Sequence, residues 1–307
     1  MDNIKQVVIW GHKLHSHTHS YIHNAFFIAF KHLGYQTIWL DKNDNISNID
    51  FSNTLFLTEG CVDINIPIRN DCYYILHNCQ CDKYNILEKK RVLIIQVFTT
   101  DVFLGRTIEK IDEFIYYTPI INNQYSLLYM PWATDLLPQQ IQNNIEEYDR
   151  IIKPKNLVNF VGMMTDEWEI VNTFCKNTNI QFKNVGGFSQ NVEISENEKL
   201  IQESLIAPSI QSKWQCEKGY IPCRIFKNIS YGKMGITNNE HVSKLFLNKI
   251  IYDNNIFNAL TKGLFFEKGD FQLNKSIVTN QMHYVKEKHT YLNRIDTILS
   301  LLAKQNN

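Results

Sequence analysis

The sequence predicts an α/β protein with two Rossmann-like domains facing a cleft, and three observations carry that expectation. Short apolar runs rich in β-branched and aromatic residues alternate with stretches of helical periodicity. The alternation begins twice, near residue 7 and again near residue 157. Between the two series lies a polar stretch with a Pro flanked by lysines, "QQIQNNIEEYDRIIKPKN" at 139–156, read as the interdomain connection. A chain of 307 residues accommodates two cores of about 150 residues each.

The elements follow in order. "VVIW" (7–10) reads as a buried strand, "NAFFIAFKHLG" (24–34) as a helix stopped by Gly34, and "QTIWLD" (36–41) as the next strand. That β-α-β unit is the signature of a parallel sheet. "TLFLTEG" (54–60), "CYYILHN" (72–78), "RVLIIQVF" (91–98), "FIYYTP" (114–119) and "SLLYMPWATDLLP" (126–138) continue the strand series. In the second series "LVNFVG" (157–162) is a strand, "EWEIVNTFCKNT" (167–178) a helix and "IQFKNVGG" (180–187) a strand and turn. "EKLIQESLIAPSI" (198–210) is a helix and short strand, "CRIFKNISYG" (223–232) a helix closed by Gly, and "MGITNN" (234–239) the last strand. "HTYLNRIDTILSLLAK" (289–304) is an amphipathic terminal helix with apolar residues at Leu292, Ile295, Leu299 and Leu302. The expected domains are 1–140 and 155–285, with 286–307 packing back on the first.

Composition narrows the function classes. Hydrophobic residues make up 44% and aromatics 12%, enough for packed cores. Lys plus Arg and Asp plus Glu both number 31, so no basic excess favours a nucleic acid or an anionic membrane surface as main partner. No apolar run reaches the 18 residues of a membrane span, and "MDNIKQVVIWG" lacks the apolar core of a signal peptide. Seven cysteines are an odd number, and "CQC" at 79–81 lacks a second pair at zinc spacing. Reduced thiols in a cytoplasmic setting are the expectation.

Residues 207–239 read "APSIQSKWQCEKGYIPCRIFKNISYGKMGITNN". A helix beginning near Pro222 would turn backbone N–H groups and a partial positive charge toward a phosphate. Arg224 adds a planar cation suited to phosphate oxygens, and Lys227 follows at i+3 on the same face. The spacing Arg224-x-Phe226-x₅-Gly232 resembles the R-x-F-E-x-x-A-x-G element of GT-B glycosyltransferases. "KHTYLNRIDTIL" at the C-terminus is similar to the close of the CgeB-like members of that group, and "MPWATD" (130–135) also looks like it. The resemblance implies transfer of a sugar from a GDP- or UDP-linked donor to a hydroxyl of a glycan or other acceptor, with no cofactor and no metal. It implies a donor site of Arg224, Lys227, Asn228 and Gly232, with Gly162 approaching the phosphates through its backbone. Where many members carry a ribose-binding Glu, this chain has Lys227. The ribose role then passes to Asn238 or Asn239, or to Gln211 or Gln215.

Five of the ten histidines fall within "GHKLHSHTHSYIH", residues 11–23. "LHSHTHS" looks like the opening motif of PHP-type metal-dependent phosphoesterases, with His17 and His19 at i, i+2 on an extended segment as ligands of one ion. That reading lacks further ligands: no D-H pair follows, and no D-x-H lies near the C-terminus. Within the glycosyltransferase resemblance the cluster falls in the loop after the first strand, where His17 or His19 would act as catalytic base on the acceptor hydroxyl. His12 is the third candidate and lines the acceptor site with Glu59. Glu59 and Asp63 would orient the base or serve as the base themselves. Thr18 and Ser20 are available to cap a helix starting near Tyr21. A non-catalytic sugar-nucleotide-binding protein is the remaining alternative.

Overall fold

A computed structural model describes residues 4–13, 18–60, 65–77, 82–99, 106–163, 167–185 and 194–306. The chain divides into two compact units, one of Met1–His15, Ile22–Pro131 and Tyr291–Asn307, the other of Ser16–Tyr21 and Trp132–Thr290. Both are α/β, with eleven α-helices among the described residues, none of them long and apolar enough to cross a membrane.

The first unit is organised by an eight-stranded sheet. Its strands are β1 (Gln6–Trp10), β2 (Thr37–Leu40), β3 (Thr54–Thr58), β4 (Tyr73–His77), β5 (Val92–Gln96), β6 (Glu109–Asp112), β7 (Ile115–Thr118) and β8 (Ser126–Tyr129). Their order is β2-β1-β3-β4-β5-β8-β7-β6. The first six in that order run parallel, and β7 and β6 close one edge antiparallel, so the sheet is mixed. The β6–β7 hairpin was not legible in the sequence because β6 is a polar, largely exposed edge strand. Central strands β1 and β3 are buried at every position, which is why they read as unbroken apolar runs.

Helix α1 (Thr18–His32) follows β1 and buries Ile22, Ala25, Phe26, Ala29 and Phe30, the i, i+3, i+4, i+7, i+8 stripe of a helix on a sheet. It begins earlier than the sequence suggested, so Ser20 lies inside the helix. Gly34, at φ +84°, ends it and lets the Tyr35 N–H reach the Phe30 carbonyl at 3.1 Å. Where a Rossmann-like series would place helices between β3, β4 and β5, the described residues hold only short 3₁₀ turns at Asp82–Ile86 and Lys89–Arg91.

The second unit holds α2 (Pro138–Glu146), α3 (Tyr148–Ile151), β9 (Leu157–Val161), α4 (Glu167–Asn177), β10 (Gln181–Val185), α5 (Ile194–Glu203) and β11 (Pro208–Ser209). It continues with α6 (Lys213–Glu217), α7 (Cys223–Ser230), β12 (Ile236–Thr237), α8 (Glu240–Leu245), β13 (Ile251–Tyr252), α9 (Ile256–Glu267) and α10 (Phe271–Lys288). β10 pairs parallel with β9, and β11, β12 and β13 form a parallel trio. The Leu205 N–H on the Leu157 carbonyl and the Ser204 hydroxyl accepting from the Asn159 N–H draw the run into β11 alongside β9. Two expectations change here. Residues 139–156 are not a linker, because α2 and α3 fill most of them within the second unit. β12 is not the last strand, because β13 follows it.

The terminal helix α11 (Tyr291–Asn306) belongs to the first unit. Its buried stripe is Tyr291, Arg294, Ile295, Ile298, Leu301 and Leu302, rotated from the 292–295–299–302 face suggested by apolar spacing. The rotation comes from Arg294, which is fully buried and donates from Nε to the Pro131 carbonyl at 2.8 Å. Periodicity arguments count only apolar residues and place an arginine outside. Arg294→Leu leaves that carbonyl without this donor and is expected to lower the unfolding free energy by about 2–4 kcal/mol. Urea denaturation checks this, with Asp296→Ala on the exposed face expected to stay within about 0.5 kcal/mol of wild type.

Candidate functional site

In the first unit the strand order reverses between β1 and β3, because β2 lies on one side of β1 and β3 on the other. The carboxyl ends of strands flanking such a reversal are where open α/β sheets bind ligands. His12 follows β1, Glu59 follows β3 and His77 ends β4, so three of the unit's polar side chains gather at that edge. His12 Nε2 lies 2.5 Å from Glu59 Oε2, with the two side chains 7% and 14% exposed. A carboxylate only accepts, so Nε2–H of His12 is the donor, and a ring with that single proton keeps its lone pair on Nδ1.

Behind this pair stand two fully buried histidines. His23, on α1, places Nδ1 2.9 Å from the Gly11 carbonyl, and its Nε2 is 2.7 Å from Nε2 of His77. The rings of His12 and His23 meet edge-on with centroids 5.1 Å apart, as do those of His23 and His77 at 5.0 Å. Because a carbonyl cannot donate, His23 carries its proton on Nδ1. Its Nε2 then accepts from Nε2–H of His77.

The predicted histidines divide accordingly. His12 and Glu59, expected at the acceptor site, form the close pair. His15, His17 and Asp63 lie outside the described residues. His19 is half-buried in the first turn of α1 and not on the extended segment expected for it. His23 and His77 were missed as site residues: one sits mid-helix and the other ends an apolar strand, where spacing gives no signal.

In the second unit Arg224 occupies the first turn of α7. Pro222 at the helix N-cap offers no side-chain cap, so the first-turn N–H groups keep their partial positive charge. Arg224 Nε donates to the Val161 carbonyl at 3.0 Å, and its guanidinium carbon lies 4.0 Å from the Phe160 ring centre. The side chain is thus pinned against the end of β9 by one of its five donor hydrogens. It is half-buried, burial lowers its pKa from the ordinary value, and among the described residues no carboxylate pairs with it.

Gly162 follows β9 at φ +125°, and a Cβ there would collide with the Arg224 guanidinium. Its N–H bonds to the Val185 carbonyl at 2.8 Å. Gly162 thus extends the β9–β10 ladder and makes room for Arg224. Gly232, at φ +97°, turns the chain as expected, with Ile152 and Tyr148 packed where a side chain would stand.

Lys227 does something other than expected. Its Nζ lies 3.2 Å from Asp135, the two side chains being 9% and 10% exposed, and 4.4 Å from the centre of the Tyr21 ring. Tyr231 donates its hydroxyl to the same carboxylate at 2.7 Å, and burial, reinforced by Asp135, keeps that phenol protonated far above its ordinary range. Beside them the Thr134 and Ser230 hydroxyls are 2.7 Å apart. The i, i+3 spacing did place Arg224 and Lys227 on one helix, but only the tertiary partner Asp135, in "MPWATD", decided which of them is neutralised.

The remaining polar candidates hold loops together. Gln211 and Asn238 clasp each other through the Gln211 N–H to Asn238 Oδ1, 2.9 Å, and Asn238 Nδ2 to the Gln211 carbonyl, 2.8 Å. Asn239 caps α8 through the His241 N–H and donates to the Tyr220 carbonyl. Gln215 forms a capping box with Ser212. Asn228 donates to the Ala207 carbonyl. Of this group, Gln211 keeps a buried Oε1 with no partner among the described residues, as does the hydroxyl of Ser209, two positions earlier.

No family model matches the chain, and no curated protein matches it.

Lys227→Met leaves Asp135 buried beside Tyr231 and is expected to cost about 3–5 kcal/mol. A double-mutant cycle with Asp135→Asn in chemical denaturation is expected to return a coupling above about 0.5 kcal/mol.

Proposed function

We propose that the chain is a glycosyltransferase that moves a sugar from a nucleotide diphosphate to an acceptor hydroxyl. The observation that carries this reading is Arg224, an accessible, partly desolvated guanidinium at the uncapped N-terminus of α7, with no carboxylate partner among the described residues. A diphosphate supplies the missing negative charge, and guanidinium with helix N–H groups matches its oxygens. As the donor bond breaks, charge grows on the departing diphosphate, and a cation already fixed by Phe160 and Val161 stabilises it without reorganising.

The acceptor side of the reading rests on His12 and Glu59. With Nε2–H held by the carboxylate, His12 Nδ1 is the atom that takes the hydroxyl proton, and Glu59 stabilises the imidazolium that results. This assigns the base to His12 in preference to His19. The resemblance of the 207–239 and 289–300 segments to GT-B enzymes supports the same chemistry. Lys227, spent on Asp135, is not counted toward the diphosphate.

Thermal denaturation against UDP, GDP and their sugar conjugates, with and without EDTA, tests the proposal. A nucleotide at 100 times its dissociation constant is expected to stabilise the protein by about 2.7 kcal/mol, with EDTA making no difference. Arg224→Ala is expected to weaken that binding about tenfold to a hundredfold, the value of a charge-assisted contact of about 1.5–3 kcal/mol. Normal nucleotide binding by Arg224→Ala overturns the donor assignment. His12→Ala is expected to cut turnover by about 10²–10⁴ while leaving nucleotide affinity unchanged. Equal loss of both would mean that His12 serves binding.

A further inference from the structure

The structure assigns His23 and Trp39 to the task of positioning His12, through a clamp on the Gly11 carbonyl. The inference rests on the reading of His12 as the base, and its geometry stands apart from the identity of the substrate.

β1 is followed by two consecutive left-handed residues, Gly11 at φ +88° and His12 at φ +59°. For glycine that conformation is free of penalty, whereas for a histidine, with a Cβ crowding the following carbonyl, it is unfavourable. The segment keeps it because it is tied on both sides. The Gly11 N–H donates to the Leu40 carbonyl at 2.8 Å, and the Lys13 N–H donates to Asp41 Oδ2 at 2.8 Å. Between those ties the Gly11 carbonyl accepts two side-chain hydrogen bonds, from His23 Nδ1 and from Trp39 Nε1, each at 2.9 Å.

One donor is enough to satisfy a buried carbonyl. Two donors from different elements, one on α1 and one on β2, fix the rotation of the Gly11–His12 peptide plane. That rotation sets where the His12 side chain leaves the backbone and so where its Nε2 meets Glu59. His77 completes the device. By presenting Nε2–H to His23 at 2.7 Å, it holds His23 in the tautomer whose Nδ1 carries a proton, the only one able to donate to Gly11. The order of dependence runs from His77 to His23 to the Gly11 carbonyl to His12, with Trp39 as a second hold on the same oxygen. None of His23, His77 or Trp39 needs to touch substrate to perform this.

The full-length protein tests it by proton NMR of its imidazole N–H groups, with ¹⁵N-labelled histidine and His12→Gln used to identify the His12 resonance. A charge-assisted hydrogen bond to Glu59 places that resonance downfield of a solvent-exposed imidazole N–H. Trp39→Phe, which removes one donor and keeps a ring, is expected to shift or broaden the signal. It is also expected to lower turnover about tenfold to a hundredfold, the scale set by sub-ångström misplacement of a catalytic group, with nucleotide affinity unchanged. His23→Leu is expected to do the same, and His23→Asn, whose amide can donate where Nδ1–H did, to recover most of the loss. If His23→Leu fails to fold, Trp39→Phe still reads the clamp. An unmoved His12 resonance in Trp39→Phe overturns the inference, whatever happens to melting temperature. A shifted resonance in a protein that binds no nucleotide leaves the clamp standing and removes the glycosyltransferase reading instead.

Discussion

Parallel strands covered on both faces leave their carboxyl edge for polar chemistry, and that constraint organises each unit of this protein. The central strands of the first unit are apolar from end to end, so polar groups accumulate where they stop. Gly11 and His12 leave β1, Glu59 leaves β3 and His77 closes β4. In the second unit Gly162 leaves β9, and Arg224 folds back onto the end of the same strand. Each unit thus concentrates its reactive groups at one edge, where loops escape the regularity of the ladder.

The two edges use different physics. In the first unit ring N–H hydrogen bonds dominate: His23 and Trp39 both donate to the Gly11 carbonyl, and His77 backs His23. Neutral rings can be buried completely because each nitrogen donates or accepts as its partner requires. In the second unit charge dominates, and the contrast between Arg224 and Lys227 is informative. Both ride on α7 within one turn of each other. Lys227 is compensated by Asp135 and packed against Tyr21 and Tyr231, whereas Arg224 rests on the face of Phe160 and donates to the Val161 carbonyl. A buried pair such as Lys227 with Asp135 fixes the orientation of α7 relative to the segment after β8 more than it adds stability, and that orientation presents Arg224.

Much of the fold was legible from the residues because burial leaves a periodic trace. Six of the eight strands of the first sheet coincide with apolar runs, and a seventh, β7, was placed but not its direction. Strand β6 left no trace because an exposed edge strand needs no apolar face. The half-buried β13 was hidden for a different reason: two residues are too few to show a period. The terminal helix was found, but its inward face was misplaced, since the decisive buried side chain is the arginine at 294.

What the sequence alone determined is the inventory: an α/β chain, a histidine-rich turn after the first strand, and a helix opening with an arginine. These follow from local rules, in which residue type and spacing act within a few positions. What only the tertiary structure decided is pairing. Glu59 is 47 positions from His12, His77 is 54 from His23, and Asp135 is 92 from Lys227 (227 − 135). No spacing rule reaches such partners, because a hydrogen bond or ion pair depends on distances of about 3 Å that packing alone creates. The sequence supplied the candidates, and the fold chose which histidine meets a carboxylate and which cation is left to meet a ligand.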